Sequence, residues 1–250
     1  MKQFSQVDLV PKILPTTNPK IGVITLSTDF TIEQDFRRLC QNINVDIYVN
    51  RIPFENPLNH KNYLKMLDHL SDIANNILPG KKLDAIAYGC TSGTVAIGDK
   101  RIADEIHKSK SGIYVSTPIT AAIKTFALLK IKKIAVLTPY PKQVNKTIFD
   151  YLIKNNLKIT SFSSFNLEYD SDIAQVDPKY LIETIDKIDH KGADAVFISC
   201  TALRAVEVLD QIEKKISKYV ISSNQAIIWD CLRSVSINNN ISGYGKLFSH

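Results

Sequence analysis

The chain has 250 residues, 44% hydrophobic and 22% charged, with 31 lysines and arginines against 25 aspartates and glutamates and a net charge of +6. That length holds one large domain or two smaller ones, and no run approaches the roughly 18 uninterrupted apolar residues of a membrane span. Lysines are dispersed among acids, as in Asp186-Lys187-Ile188-Asp189, with no basic cluster interleaved with aromatics, so neither nucleic acid nor membrane is an expected partner.

Residues 1–20 are polar, carry prolines at 11, 15 and 19, and lack an apolar signal core; they read as an extended lead-in to a cytoplasmic protein. A first strand is expected over 21–27, followed by an amphipathic stretch over 32–40 and a second strand over 45–52. A helix over 63–78 leads to strand 85–90, a helix over 98–108 to strand 112–117, and a helix over 119–129 to strand 134–139. The alternation continues with helix 142–155, strand 158–165, helix 178–190, strand 195–200, helix 204–215 and strand 219–224. Short runs apolar on both faces, separated by helices, indicate parallel strands covered on both sides. The expected class is α/β.

The order of elements repeats. Lys20-Ile-Gly-Val-Ile-Thr25 returns as Lys133-Ile-Ala-Val-Leu-Thr138, and Asp84-Ala-Ile-Ala-Tyr-Gly-Cys-Thr91 as Asp194-Ala-Val-Phe-Ile-Ser-Cys-Thr201. Ser116-Thr-Pro-Ile-Thr-Ala121 has a looser echo in Ser222-Ser-Asn-Gln-Ala226. Two halves of four parallel strands each, related by a pseudo-twofold axis, are therefore expected over 1–117 and 118–224, with 225–250 packing back on the first half.

Four cysteines stand at 40, 90, 200 and 231, with none of the spacings of a zinc site. Cys90 and Cys200 each end the third strand of a half. Ligands of open parallel sheets bind beyond the carboxyl ends of the strands, so inward-facing edges would set the two thiols across a cleft at the interface. A base on one face and an acid on the other invert a stereocentre next to a carboxylate. Thr91-Ser92-Gly93-Thr94 and Thr201-Ala202-Leu203-Arg204 both read as helix starts. Their amides and dipoles are expected to stabilise a thiolate and hold a carboxylate, with help from the hydroxyls of Thr91, Ser92, Thr94 and Thr201. A free cysteine is often just a small buried hydrophobe. Recurrence of Cys-Thr at equivalent strand ends favours function for Cys90 and Cys200, whereas core packing suffices for Cys40 and Cys231. Neither GxGxxG nor GxxxxGK[ST] occurs, no histidine is placed to activate Ser27, Ser116 or Ser222, and no metal or other cofactor is indicated.

The segments Gly89-Cys-Thr-Ser-Gly-Thr94 and Ser199-Cys-Thr-Ala-Leu-Arg204 resemble those of the aspartate/glutamate racemase superfamily. The nearest branch is the one holding maleate cis-trans isomerase, arylmalonate decarboxylase and the EutA proteins of ectoine utilisation. The likeness runs from Ile21-Gly-Val-Ile24 to Gly243-Tyr-Gly-Lys-Leu247 and is strongest for the EutA type. It implies a cofactor-independent racemase or isomerase of a small carboxylic or amino acid, with Cys90 as attacking or deprotonating thiolate and Cys200 as opposing acid. Substrate contacts are then expected from Ser27, Asp29, Thr91, Ser92, Tyr140, Thr201 and Ala202, and from one residue within 168–172. Asp29 stands where the isomerases carry asparagine; it accepts but does not donate hydrogen bonds when ionised, which suits a substrate bearing an ammonium group. A helix N-cap near Thr31 is the plainer role for it. An arylmalonate-type decarboxylase and a non-catalytic carboxylate-binding protein remain as alternatives, and a homo-oligomer follows from the resemblance alone.

Overall fold

The β-branched runs form eight strands in a computed structural model of the protein, which describes residues 4–250. The first three residues of the expected lead-in lie outside the described residues, and residues 4–17 form neither helix nor strand. The strands are β1 (Lys20–Leu26), β2 (Asp46–Ile52), β3 (Ala85–Gly89), β4 (Tyr114–Ser116), β5 (Lys133–Thr138), β6 (Lys158–Ser164), β7 (Ala195–Ile198) and β8 (Tyr219–Ser222). They make two all-parallel sheets with orders β2-β1-β3-β4 and β6-β5-β7-β8. The expected α/β class and the pair of four-stranded sheets are thus what the chain adopts.

The repeat extends to single hydrogen bonds. In the first half Asp84 accepts from the Lys20 amide at 2.8 Å; in the second, Asp194 accepts from the Lys133 amide at 2.8 Å. Each carboxylate ties the start of a third strand to the start of its neighbour. The inner strands β1, β3, β5 and β7 are almost wholly buried, while β2 and β6, on the edges, are half-exposed.

Eleven α-helices are present among the described residues. The first half holds α1 (Ile32–Cys40), α2 (His60–Lys65), α3 (Leu70–Asn75), α4 (Thr91–Ile97) and α5 (Asp99–His107). After it come α6 (Pro118–Leu128), α7 (Lys142–Lys154), α8 (Asp170–Ala174), α9 (Pro178–Lys187), α10 (Leu209–Ile216) and α11 (Ser223–Ser234). The helix expected over 63–78 is α2 and α3 joined by a 3-10 turn, Met66–His69. Gly98, at φ 96°, breaks α4 from α5, because that conformation suits only glycine. The stretch after Cys200 departs from expectation: residues 201–203 bend, and a 3-10 turn at Val206–Val208 precedes α10.

The helix after the last strand of each half reaches across. Phe126 of α6 sets its ring edge-on to Phe197 of β7, 5.5 Å between centroids. α11 packs on β3 and β4, and its buried Asp230 accepts from Tyr114 and Ser116 of β4. Among the described residues no helix is long and apolar enough to cross a membrane.

Candidate active site

Parallel strands end at one edge, and the loops leaving that edge bring six side chains together. Asp29 follows β1, Tyr63 comes from α2, Cys90 follows β3, Tyr140 follows β5, Asp170 opens α8, and Cys200 follows β7. All six are buried, and Asp29 and Asp170 both act electrostatically on both thiols.

Cys90 is the N-cap of α4: its Sγ accepts from the Gly93 amide at 3.2 Å and lies 3.9 Å from the Ser92 hydroxyl. Gly93 is obligatory beside it, since a Cβ there would meet Cys90 Sγ and Met66 Cε at 2.8 Å. Cys200 is held in a related way, its Sγ accepting from the Ala202 amide at 3.3 Å, although no helix begins there. Tyr140 lies against Cys200, and Tyr63 faces both sulfurs with its hydroxyl buried and unpaired among the described residues.

The Cys200 loop is pinned by the first half instead of by helical bonds. Thr31 donates to the Ala202 carbonyl (2.8 Å), and Thr201 donates to the Gly89 carbonyl (3.3 Å). Asn224 of α11 donates both to the Thr201 carbonyl and to Asp35, each at 2.8 Å. These long-range donors replace a first helical turn, which is why Thr-Ala-Leu-Arg does not continue into a helix. Thr91 donates to Ser223 (2.9 Å) and Thr94 to the Cys90 carbonyl (2.6 Å). In this structure the hydroxyls of Thr91, Thr94 and Thr201 donate within the protein. Ser92 keeps the hydroxyl nearest a thiol. Ser27 is exposed and accepts from the amide of Phe54, whose ring stacks on Tyr63, at 3.1 Å.

The surroundings of the thiols work against the expected acidification. Burial pushes Cys90 up to about 12, with the Asp170 charge adding to the rise and the Gly93 amide only partly opposing it. Burial also raises Cys200, despite the Tyr140 contact. Desolvation of an anion outweighs one or two amide donors here. The carboxyls are raised too: burial drives Asp170 to about 6, and Asp29 upward despite two amide bonds from Thr31 and Ile32. Those bonds, 2.7 and 3.0 Å to Oδ1, make Asp29 a cap for α1, and leave its buried Oδ2 without a partner. Asp170 accepts from Thr28 at 2.5 Å.

Tyr63, Thr28, Asp35 and Asn224 were not singled out from sequence, and Asp170 only as one of five positions in 168–172. Each lies on an ordinary amphipathic or polar stretch and reaches the site through tertiary contacts, so no local pattern marks it. Among the described residues no group of three or more His, Cys, Asp or Glu is placed to hold a metal ion.

Comparison with known proteins adds four findings. The arylmalonate decarboxylase family model matches residues 56–248. A maleate isomerase from Alcaligenes faecalis is 23% identical over 243 residues, covering 92% of this chain and 96% of that protein. Among solved structures, the maleate isomerase Iso from Pseudomonas putida S16 superposes with a TM-score of 0.86 at 19% identity, over 93% of this chain and 99% of that one. The Nocardia farcinica maleate cis-trans isomerase does so at 0.84 and 16% identity, over 92% and 98%, in a cysteine-to-serine mutant with a covalently bound succinylcysteine intermediate.

Proposed function

The chain belongs to the arylmalonate decarboxylase family, and from that premise we propose that it is a cofactor-independent racemase or isomerase of a small carboxylic or amino acid, closest to the EutA type, with Cys90 and Cys200 as its catalytic residues. The observation that carries this reading is the recurrence of a buried thiol, held by a backbone amide, at the same strand end of both halves.

In racemisation, one sulfur as thiolate takes the proton from the carbon next to the substrate carboxylate, and the C–H electron pair moves into the carboxylate as an enediolate. The opposing thiol returns a proton to the other face, leaving the pair with their protonation states exchanged. In cis-trans isomerisation the thiolate instead adds to an alkene carbon. The resulting single bond rotates, and elimination restores thiolate and alkene. The cysteine-bound succinyl group of the Nocardia farcinica enzyme is of this second kind. Both routes ask for one thiolate and one acid, and two neutral thiols supply both once a single proton has left. In this reading Tyr140, which lies beside Cys200, donates to a substrate carboxylate.

The test is proton NMR in D2O with aspartate, glutamate, diaminobutyrate and its acetylated forms, hydantoins, maleate and aryl malonates, on wild type and on Cys90→Ser and Cys200→Ser. Exchange of an α-proton or change of a vinyl proton that disappears in both variants supports the two-thiol reading. Undiminished turnover in either variant refutes it.

A further inference from the structure

The buried group around the thiols holds two carboxyls with little positive charge to balance them. Among the described residues Arg51 is the cation that acts most on Asp29, but it is partly exposed; its guanidinium is engaged by the Asp29 carbonyl at 2.6 Å and by Glu33 at 2.9 Å. Asp170 is governed by its own burial, by Thr28 and by Asp29. The free oxygen of Asp29 is the sharper clue. Its Oδ2 is buried and has no hydrogen-bond partner among the described residues; the Thr201 hydroxyl is close enough to act on Asp29 but donates to the Gly89 carbonyl, at 3.3 Å. A buried acceptor left without a donor is costly, so it marks a place where a donor arrives.

We propose that Asp29 and Asp170 form the seat for a cationic amino group of the substrate, so that this cleft takes an amino acid and discriminates against dicarboxylates lacking that group. The inference rests on the reading of Cys90 and Cys200 as the reacting thiols. An ammonium group brings three donors and one positive charge. It satisfies Asp29 Oδ2 and Asp170 together and removes the repulsion between them. A dicarboxylate dianion of the same size adds two negative charges to a pocket that already holds Asp29 and Asp170.

The seat also couples recognition to reactivity. Asp170 and Asp29 are two of the groups holding the proton on both sulfurs. Neutralising them on binding eases loss of the proton from whichever thiol must act as base. A ligand without the amino group leaves both thiols protonated.

The experiment is isothermal titration of the full-length Cys90→Ser/Cys200→Ser protein with matched pairs: aspartate against succinate, glutamate against glutarate, alanine against propionate, and with maleate. At least one amino acid is expected to bind about 100-fold more tightly than its deaminated twin, as for loss of one partner of a buried charge pair. That preference is expected to fall below about threefold in Asp170→Asn, with Asp29→Asn intermediate. Both changes are isosteric and keep an acceptor for Thr28 and for the α1 amides, and unfolding midpoints check that the variants are folded. Equal or tighter binding of the deaminated twins overturns the proposal. So does the absence of binding by every amino acid, or a preference that survives both asparagine changes. Because binding is read with both thiols removed, this failure is distinct from failure of the two-thiol mechanism, which turnover in the single serine variants reports.

Discussion

If burial rather than helix capping governs the thiols, Cys90 should be a slow nucleophile in the free protein. At about pH 8 a thiol with a pKa of about 12 is ionised to about one part in 10⁴, whereas an ordinary thiol near 8.5 is about one-quarter ionised. Alkylation by iodoacetamide should therefore be about 2,000-fold slower than for free cysteine, before any steric shielding is counted. Shielding and ionisation are separated by the pH profile. Shielding scales every rate equally, while a raised pKa makes the rate climb about tenfold per pH unit with no plateau below about pH 10. The assay is peptide mapping by mass spectrometry, which resolves Cys90 from Cys40, Cys200 and Cys231. In Asp170→Asn the nearby negative charge is gone, so Cys90 should react about 3- to 10-fold faster at pH 8. A plateau near pH 8.5, or a rate at pH 8 within tenfold of free cysteine, would refute the desolvation argument and restore the capping one.

Two more outcomes follow from packing and charge. Gly93→Ala places a methyl 2.8 Å from Cys90 Sγ and Met66 Cε; overpacking of about 1–3 kcal/mol, less about 1 kcal/mol of helix propensity, predicts a net loss of about 0–2 kcal/mol in urea unfolding, with lower turnover as the sulfur shifts. Asp35 is pushed by burial from 3.8 to about 7, so the folded state holds a proton that the unfolded state has lost. Stability associated with it is present below about pH 4 and is lost as pH rises through about 7. Asp35→Asn should then match wild type near pH 4 and exceed it at pH 8, by at most about 4 kcal/mol, since the Arg38 and Asn224 contacts partly support the charge. Urea midpoints across that range check it, and a parallel pH dependence in the two proteins counts against the assignment.

The strands were legible because burial on both faces leaves a continuous signature, as in Ile21-Gly-Val-Ile24 and Ala195-Val-Phe-Ile198, and because the same succession is written twice. The thiols were legible for the same reason. What local pattern missed is what distant chain supplies. Thr201-Ala202-Leu203-Arg204 carries helix-start chemistry, yet its carbonyls are claimed by Thr31 and Asn224. Asp170 looks like any acid at the start of a short helix until Thr28 is seen to donate to it from across the molecule. The amides flanking Cys90 can be read from sequence, but its burial and the surrounding Tyr63, Tyr88 and Asp170, which oppose its ionisation, cannot.

The crossing of α6 and α11 bears on how the chain is made. β3 and β4 are complete at Ser116, but α11, which covers them, is not finished until Ser234. At about 5–20 residues per second, a ribosome needs about 6–24 s to supply that cover. During this interval the nascent first half presents the apolar side of its sheet to solvent, with Tyr114 and Ser116 still waiting for Asp230. The sheet of the first half is thus covered by a helix made more than a hundred residues after its last strand.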